Sequence, residues 1–254
     1  PKDITLLAER MIREMGNGTN PSNNTKAKGS QFSQLNTPQT QINAVRKKYE
    51  GTSQWMKAPN GQPTKLNEMQ WLQVRTPNFK AWFGDFENDA KNASKVVDAN
   101  GEPMVVYHGT RTKEKFTEFH TFTAGIFGAG AYFTVRKHEA GGYAKGGEIY
   151  EAFINVKSPL SLSDKAFMQN YFRPATQDEA ISLGYDAVIT TTGAEHKIDY
   201  VIAFDPTQIK SATSNTGEFN QTNPDIRFSR KAKNPITEGI KSAANDAKNS
   251  LPKP

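Results

Sequence analysis

From Ala93 to Ala212 the chain reads as short apolar strands and short helical stretches in irregular order, with no βαβ repetition and no internal repeat. A doubly wound parallel sheet needs strand and helix to alternate, so this order argues for an α+β domain. Lys95–Val97 and Met104–Tyr107 flank Asp98-Ala99-Asn100-Gly101, a run of residue types that favours a hairpin turn. Ala131–Thr134, Ile149–Val156, Ala187–Thr190 and Tyr200–Phe204 have strand character, and Asp205-Pro206 ends the last of them. Arg136–Lys145, Asp164–Tyr171 and Gln177–Leu183 fit helices, with Gly184 as a stop.

The flanks differ in kind. Ile4–Met15 has helical spacing, with Leu7, Met11, Ile12 and Met15 on one side, and Gly16 closes it. Asn, Thr, Ser, Gln and Gly then dominate to about Asn43, too polar to offset the entropy of ordering, which reads as a linker. Residues 1–50 are therefore expected to be the edge of a preceding module, and the start at Pro1 to be a cut from a longer precursor. Residues 51–92 form an aromatic-rich lead-in. Asn67–Val74 carries apolar Met69, Trp71 and Leu72; Thr76-Pro77 caps a short helix that Gly84 ends. Phe79, Trp82, Phe83 and Phe86 are bulky enough to anchor this segment onto a core. Residues 213–254 read as a mostly irregular basic tail, with weak helical potential around Gly239–Asn249.

Composition removes several classes of chemistry. The chain has no cysteine, which excludes disulfides, thiolate metal sites and a Cys nucleophile. No apolar run approaches the roughly 18 residues of a membrane span. An apolar fraction of 35% over 254 residues, with a mean hydropathy of −0.70, fits one compact core with polar ends. Much of the net +6 sits at the end of the tail, in residues 227–254, where Arg227, Arg230, Lys231, Lys233, Lys241, Lys248 and Lys253 face only Glu238 and Asp246. With only Phe228 among those charges, a solvated tail is favoured over a nucleic-acid surface.

Three local features of the central block can carry chemistry. Val106-Tyr107-His108-Gly109-Thr110 is a strand ending in His-Gly. Gly128-Ala129-Gly130 leads into a strand that presents Tyr132-Phe133. Tyr143 follows Tyr132 by eleven residues, after a helical stretch. The Gly-x-Gly precedes a strand instead of opening a helix, so it is not the dinucleotide fingerprint of a Rossmann fold. Each feature alone has a structural reading, as a solvated His or a core Tyr. His120, His138 and His196 lack metal-ligand spacing and read as surface residues; Lys137 and Glu139 read as a solvated helix face.

In this order and spacing the three features resemble the His-Tyr-Glu class of ADP-ribosyltransferases, which includes poly(ADP-ribose) polymerases and diphtheria-type toxins. Longer strings are similar to the ADP-ribosyltransferase modules of phage polyvalent and MuF-type proteins. They are Trp55-Met-Lys-Ala-Pro-Asn-Gly, Gln73-Val-Arg-Thr-Pro-Asn-Phe-Lys-Ala-Trp-Phe-Gly-Asp, Asn92-Ala-Ser-Lys-Val-Val-Asp, Phe204-Asp-Pro-Thr-Gln-Ile-Lys-Ser-Ala-Thr and Asn223-Pro-Asp-Ile-Arg-Phe-Ser. The similarity runs from about Gly51 to Arg230.

The resemblance implies an α+β fold with a split β-sheet core over residues 93–212, and NAD as co-substrate. His108 would hydrogen-bond a ribose hydroxyl, Thr110 would join it in the NAD-binding set, and Gly109 would offer bare backbone to the nicotinamide carboxamide where a Cβ would clash; His108 and Tyr132 would count as catalytic residues. Tyr132 and Tyr143 would stack on the nicotinamide ring. A carboxylate would then stabilise the oxocarbenium-like ribose as the glycosidic bond breaks. The family places a Glu there, just before Tyr-Val. Here the string is Lys197-Ile198-Asp199-Tyr200-Val201, which makes Asp199 the candidate, one methylene shorter. Counting back from Asp205-Pro206 lands on Tyr200 instead, and a bulge would reconcile the counts; Glu195 is the fallback. The implied activity is transfer of ADP-ribose to a macromolecular acceptor, a bacterial host protein first among the classes, in the bacterial cytoplasm. The rivals are an NAD- or ADP-ribose-binding module without transfer, and a non-enzymatic segment of a phage polyprotein.

Overall fold

A computed structural model of the chain describes residues 37–121, 124–163, 177–193 and 197–227. The expected helices at Ile4–Met15, Asp164–Tyr171 and Gly239–Asn249 lie outside those residues, as do Glu195 and His196.

Three helices come first, each started by its own cap. In α1 (Pro38–Tyr49) the Thr37 side chain accepts from Thr40 N–H, Pro38 supplies the pre-set first turn, and Arg46, Lys47 and Lys48 end it against the negative pole. This corrects the linker expectation: the polar run to Asn43 enters a helix at Pro38, because Ile42 and Val45 are buried against the aromatic lead-in. In α2 (Glu68–Val74) Asn67 and Gln70 satisfy each other's backbone N–H in a capping box. Its apolar face is Trp71, Leu72 and Val74, whereas Met69 points outward. In α3 (Pro77–Phe83) Thr76 caps the start and Gly84 the end.

The sheet follows. Its elements are β1 (Val106–Thr110), a small hairpin of β2 (Ala124–Gly125) and β3 (Gly128–Ala129), β4 (Ala131–Thr134), α4 (Lys137–Ala144), β5 (Glu148–Ile154), β6 (Pro159–Ser163), α5 (Gln177–Ser182), β7 (Ala187–Thr192), β8 (Lys197–Ala203) and, after a 3-10 turn at Pro206–Gln208, β9 (Ile209–Ser211). Seven strands pair in the order β6-β7-β8-β4-β1-β5-β9, all antiparallel except β6 with β7. The expected Asp98–Gly101 turn is present, but its arms meet through one bridge, Val97 to Pro103, and the strand proper begins at Val106.

Alternation along the strands sorts side chains into separate cores. Ala187, Ile189, Val201 and Ala203 join Phe133, Val106 and Ile154 on one face, while Val188 and Ile202 pack with Leu162, Ala180 and Phe204 on the other. Phe153 of β5 turns to the lead-in, where it meets Phe79 edge-on at 5.3 Å. The lead-in is further fastened by Arg75, buried over the Trp71 ring at 4.0 Å and 3.1 Å from both Glu87 and Glu102. Glu102 also accepts from the Thr64 hydroxyl, so the buried pair has its hydrogen bonds filled.

The segment after Ala212 has no strand or helix up to Arg227, but it is packed. Phe219 meets Phe79 at 4.9 Å, Ile226 is buried in the sheet core, and Asn215 donates to the Ile226 carbonyl at 3.0 Å. Its apolar residues are too widely spaced to show a period, which is why the sequence reads as tail.

Candidate active site

Strands β1 and β4 share one registered pair, Tyr107 with Thr134. Beyond it they part, and the gap in the sheet opens a cleft. His108 fills the gap: its Nδ1 lies 2.7 Å from the Tyr132 carbonyl, a side-chain bond where a ladder bond would otherwise stand. A carbonyl can only accept, so Nδ1 carries the proton and Nε2 keeps a free lone pair. Burial among Phe116, Phe119, Phe133 and Tyr150 pushes the imidazole below its usual range, offset in part by that carbonyl. His108 is therefore neutral near pH 7 and offers a hydroxyl-accepting nitrogen.

The cleft has a volume of about 450 Å³, within the range of small-molecule sites. His108, Gly109, Tyr132 and Tyr143 all line it, so the sequence features separated by up to 35 positions converge. Tyr143 is 60% exposed at its rim. The Tyr132 hydroxyl accepts from Phe127 N–H at 2.9 Å and donates to the Gly128 carbonyl at 2.6 Å, which ties the β2–β3 hairpin over the site. His120 also lines the cleft while remaining exposed. Thr110 is not among the lining residues; its Oγ1 accepts from Thr112 N–H at 3.4 Å.

The geometry adds a second reason for Gly109. A Cβ there would sit 1.9 Å from the Ala140 carbonyl oxygen, so the bare backbone first admits α4 against β1. That packing carries Tyr143, one turn further along α4, to the rim.

Near the start of β8 the ladder slips. Thr190 pairs with Tyr200 but Thr191 pairs with Ile198, which leaves Asp199 as the extra residue of a bulge. The two ways of counting, onto Asp199 and onto Tyr200, fall on neighbouring residues at this bulge. Tyr200, opposite Thr134, lines the cleft; Asp199 does not, and its carboxylate pairs with the Arg136 guanidinium.

A carboxylate missed by the sequence reading stands beside Tyr200. Glu139, in the first turn of α4, accepts from the Tyr200 hydroxyl and, at 2.8 Å, from the Thr134 hydroxyl, and is 2.8 Å from Arg136 Nη2. Burial pushes its acid up, but Tyr200, Thr134 and Arg136 outweigh this and hold it below the usual range. Burial first, then Glu139, holds the Tyr200 phenol well above its ordinary value, so it stays protonated. In the sequence an acid in a helix's first turn is ordinary dipole complementation, and nothing local marks its partner sixty-one residues away. Among the described residues no group of three or more His, Asp or Glu could hold a metal ion, and no helix is long and apolar enough to cross a membrane.

A curled mixed sheet of seven strands, with few short helices, is the ADP-ribosyltransferase type of α+β fold. Residues 98–219 match the family described as ADP-ribosyltransferase in polyvalent proteins, and this part of the chain is a domain of that family. No protein of curated function matches the chain. Solved structures do match. One, described as the crystal structure of an anti-CRISPR protein, is 14% identical, covers 42% of this chain and 91% of its own, and has a TM-score of 0.22.

Proposed function

We propose that the domain is a mono-ADP-ribosyltransferase that takes ADP-ribose from NAD, releases nicotinamide and transfers to a macromolecular acceptor, a bacterial host protein being the first class to try. The observation that carries this reading is the convergence of His108, Gly109, Tyr132 and Tyr143 on one cleft in a domain of this family. His108 Nε2 would accept a ribose hydroxyl, the two tyrosines would flank the nicotinamide ring, and Thr110 would support the strand end beside Gly109. Holding the donor bent in this way converts binding energy into orientation of the breaking bond.

Asp199 is the strand's candidate for the carboxylate that offsets positive charge on the ribose, and it can serve only by leaving Arg136. That pairing is also what favours a second reading, a domain that binds NAD or ADP-ribose without transferring it. Release of nicotinamide from NAD by the purified chain tests the first reading. Turnover that drops by about a hundredfold or more in His108→Ala supports it. Calorimetric NAD binding without turnover supports the second, and absence of both removes NAD from the account.

A further inference from the structure

The Tyr200–Glu139 contact places a negative charge behind the cleft wall, to which strand β8 presents no carboxylate of its own. Tyr200 and Thr134 are cross-strand partners that line the cleft, and both hydroxyls donate to Glu139, one to each oxygen. With its proton committed to Glu139, the Tyr200 oxygen turns its lone pairs to the cleft, where the Tyr143 side chain is its other hydrogen-bonding neighbour. Arg136 bridges Glu139 and Asp199, so the guanidinium holds the strand carboxylate aside while the helix carboxylate reaches the wall.

We propose that Glu139, entering from α4 and acting through the Tyr200 hydroxyl, supplies the carboxylate function of this site, with Tyr200 as the catalytic group that touches the donor ribose. This rests on the NAD-cleaving reading above. As the C1′–N bond breaks, its electron pair leaves on nicotinamide and positive charge builds on the ribose. The polarised Tyr200 oxygen accepts a ribose hydroxyl, and the Glu139 charge behind it stabilises that cation. The acceptor's lone pair then closes on C1′ and its proton leaves to water. Glu139 is a positioning and electrostatic residue in this scheme, and its first-turn place on α4 couples it to Tyr143 on the same helix.

The test measures nicotinamide release and calorimetric NAD binding for wild type, Glu139→Gln, Glu139→Asp, Tyr200→Phe, Asp199→Asn and His108→Ala. Gln retains an acceptor for Tyr200 but no charge. Glu139→Gln is expected to lose kcat by roughly a hundredfold with KM and NAD affinity within about threefold, Tyr200→Phe to lose a similar factor, and Glu139→Asp to recover part of it. Equal changes in KM and kcat, or Glu139→Gln and Tyr200→Phe both near wild type while His108→Ala is dead, would overturn the proposal and leave the transferase reading standing. A kcat loss confined to Asp199→Asn returns the role to the strand and overturns it too. Wild-type NAD binding with no release sinks the proposal and keeps the binding module; neither binding nor release sinks both.

Discussion

His108 and Lys210 show how burial can outweigh the partners of a single side chain. His108 is depressed by its aromatic surroundings, so protonation is resisted until the pH falls below the ordinary histidine value of 6.5. Its Nε2 stays an acceptor through neutrality. An NMR titration should place the His108 midpoint below 6.5, and NAD affinity should be flat from about pH 6.5 to 8 and fall only once the imidazole charges. Lys210 is almost fully buried and donates to the Asn223 and Asp225 carbonyls; burial brings its ammonium down from 10.5 to about 8. Because the folded value lies below the unfolded one, the native state binds fewer protons between these values. Its stability relative to a Lys210→Met variant should therefore rise as the pH climbs from about 8 towards 10.5, read as the difference in urea midpoints.

At the scale of elements, the site is assembled by the seat of α4 on β1. The helix delivers Glu139 and Tyr143 together, and the closeness of its seat depends on Gly109 having no side chain. Gly109→Ala should cost about 1–3 kcal/mol by overpacking and weaken NAD binding by moving Tyr143, seen as a lower Tm and a raised Kd. Gly142, on the same helix, has nothing within 4 Å of a built Cβ. Gly142→Ala should instead raise stability by up to about 1 kcal/mol through helix propensity, so the pair separates close approach from propensity. The β8 bulge acts at the same scale: one extra residue turns Asp199 to Arg136 and presents Tyr200 to the cleft.

Across the whole molecule, the lead-in, the sheet and the segment after Ala212 share a core. Phe79 sits within ring contact of Trp82, Phe83, Phe86, Phe153 and Phe219, which come from three separate regions of the chain. A chain ending after Ala212 would lose Phe219 and Ile226 and leave the faces they cover open. It should lose several kcal/mol and the sharp thermal transition relative to a chain ending after Arg227, by calorimetry on the two truncations.

The sequence by itself determined the α+β class, most element positions, the caps at Asn67 and Thr76, and the order His108-Gly109, Tyr132, Tyr143. These depend on local residue types or on short spacings, which a linear reading can see. It did not determine that Pro38–Tyr49 is helical or that Phe219 and Ile226 are core, because those outcomes depend on burial against distant partners. Nor could it choose between Asp199 and Tyr200. The bulge that gives the two residues different surroundings is a mismatch between two strands, and the Glu139–Tyr200 contact joins a helix to a strand sixty-one residues away. Only the tertiary structure fixes such pairings, since side-chain direction at a strand end depends on what the neighbouring strand does.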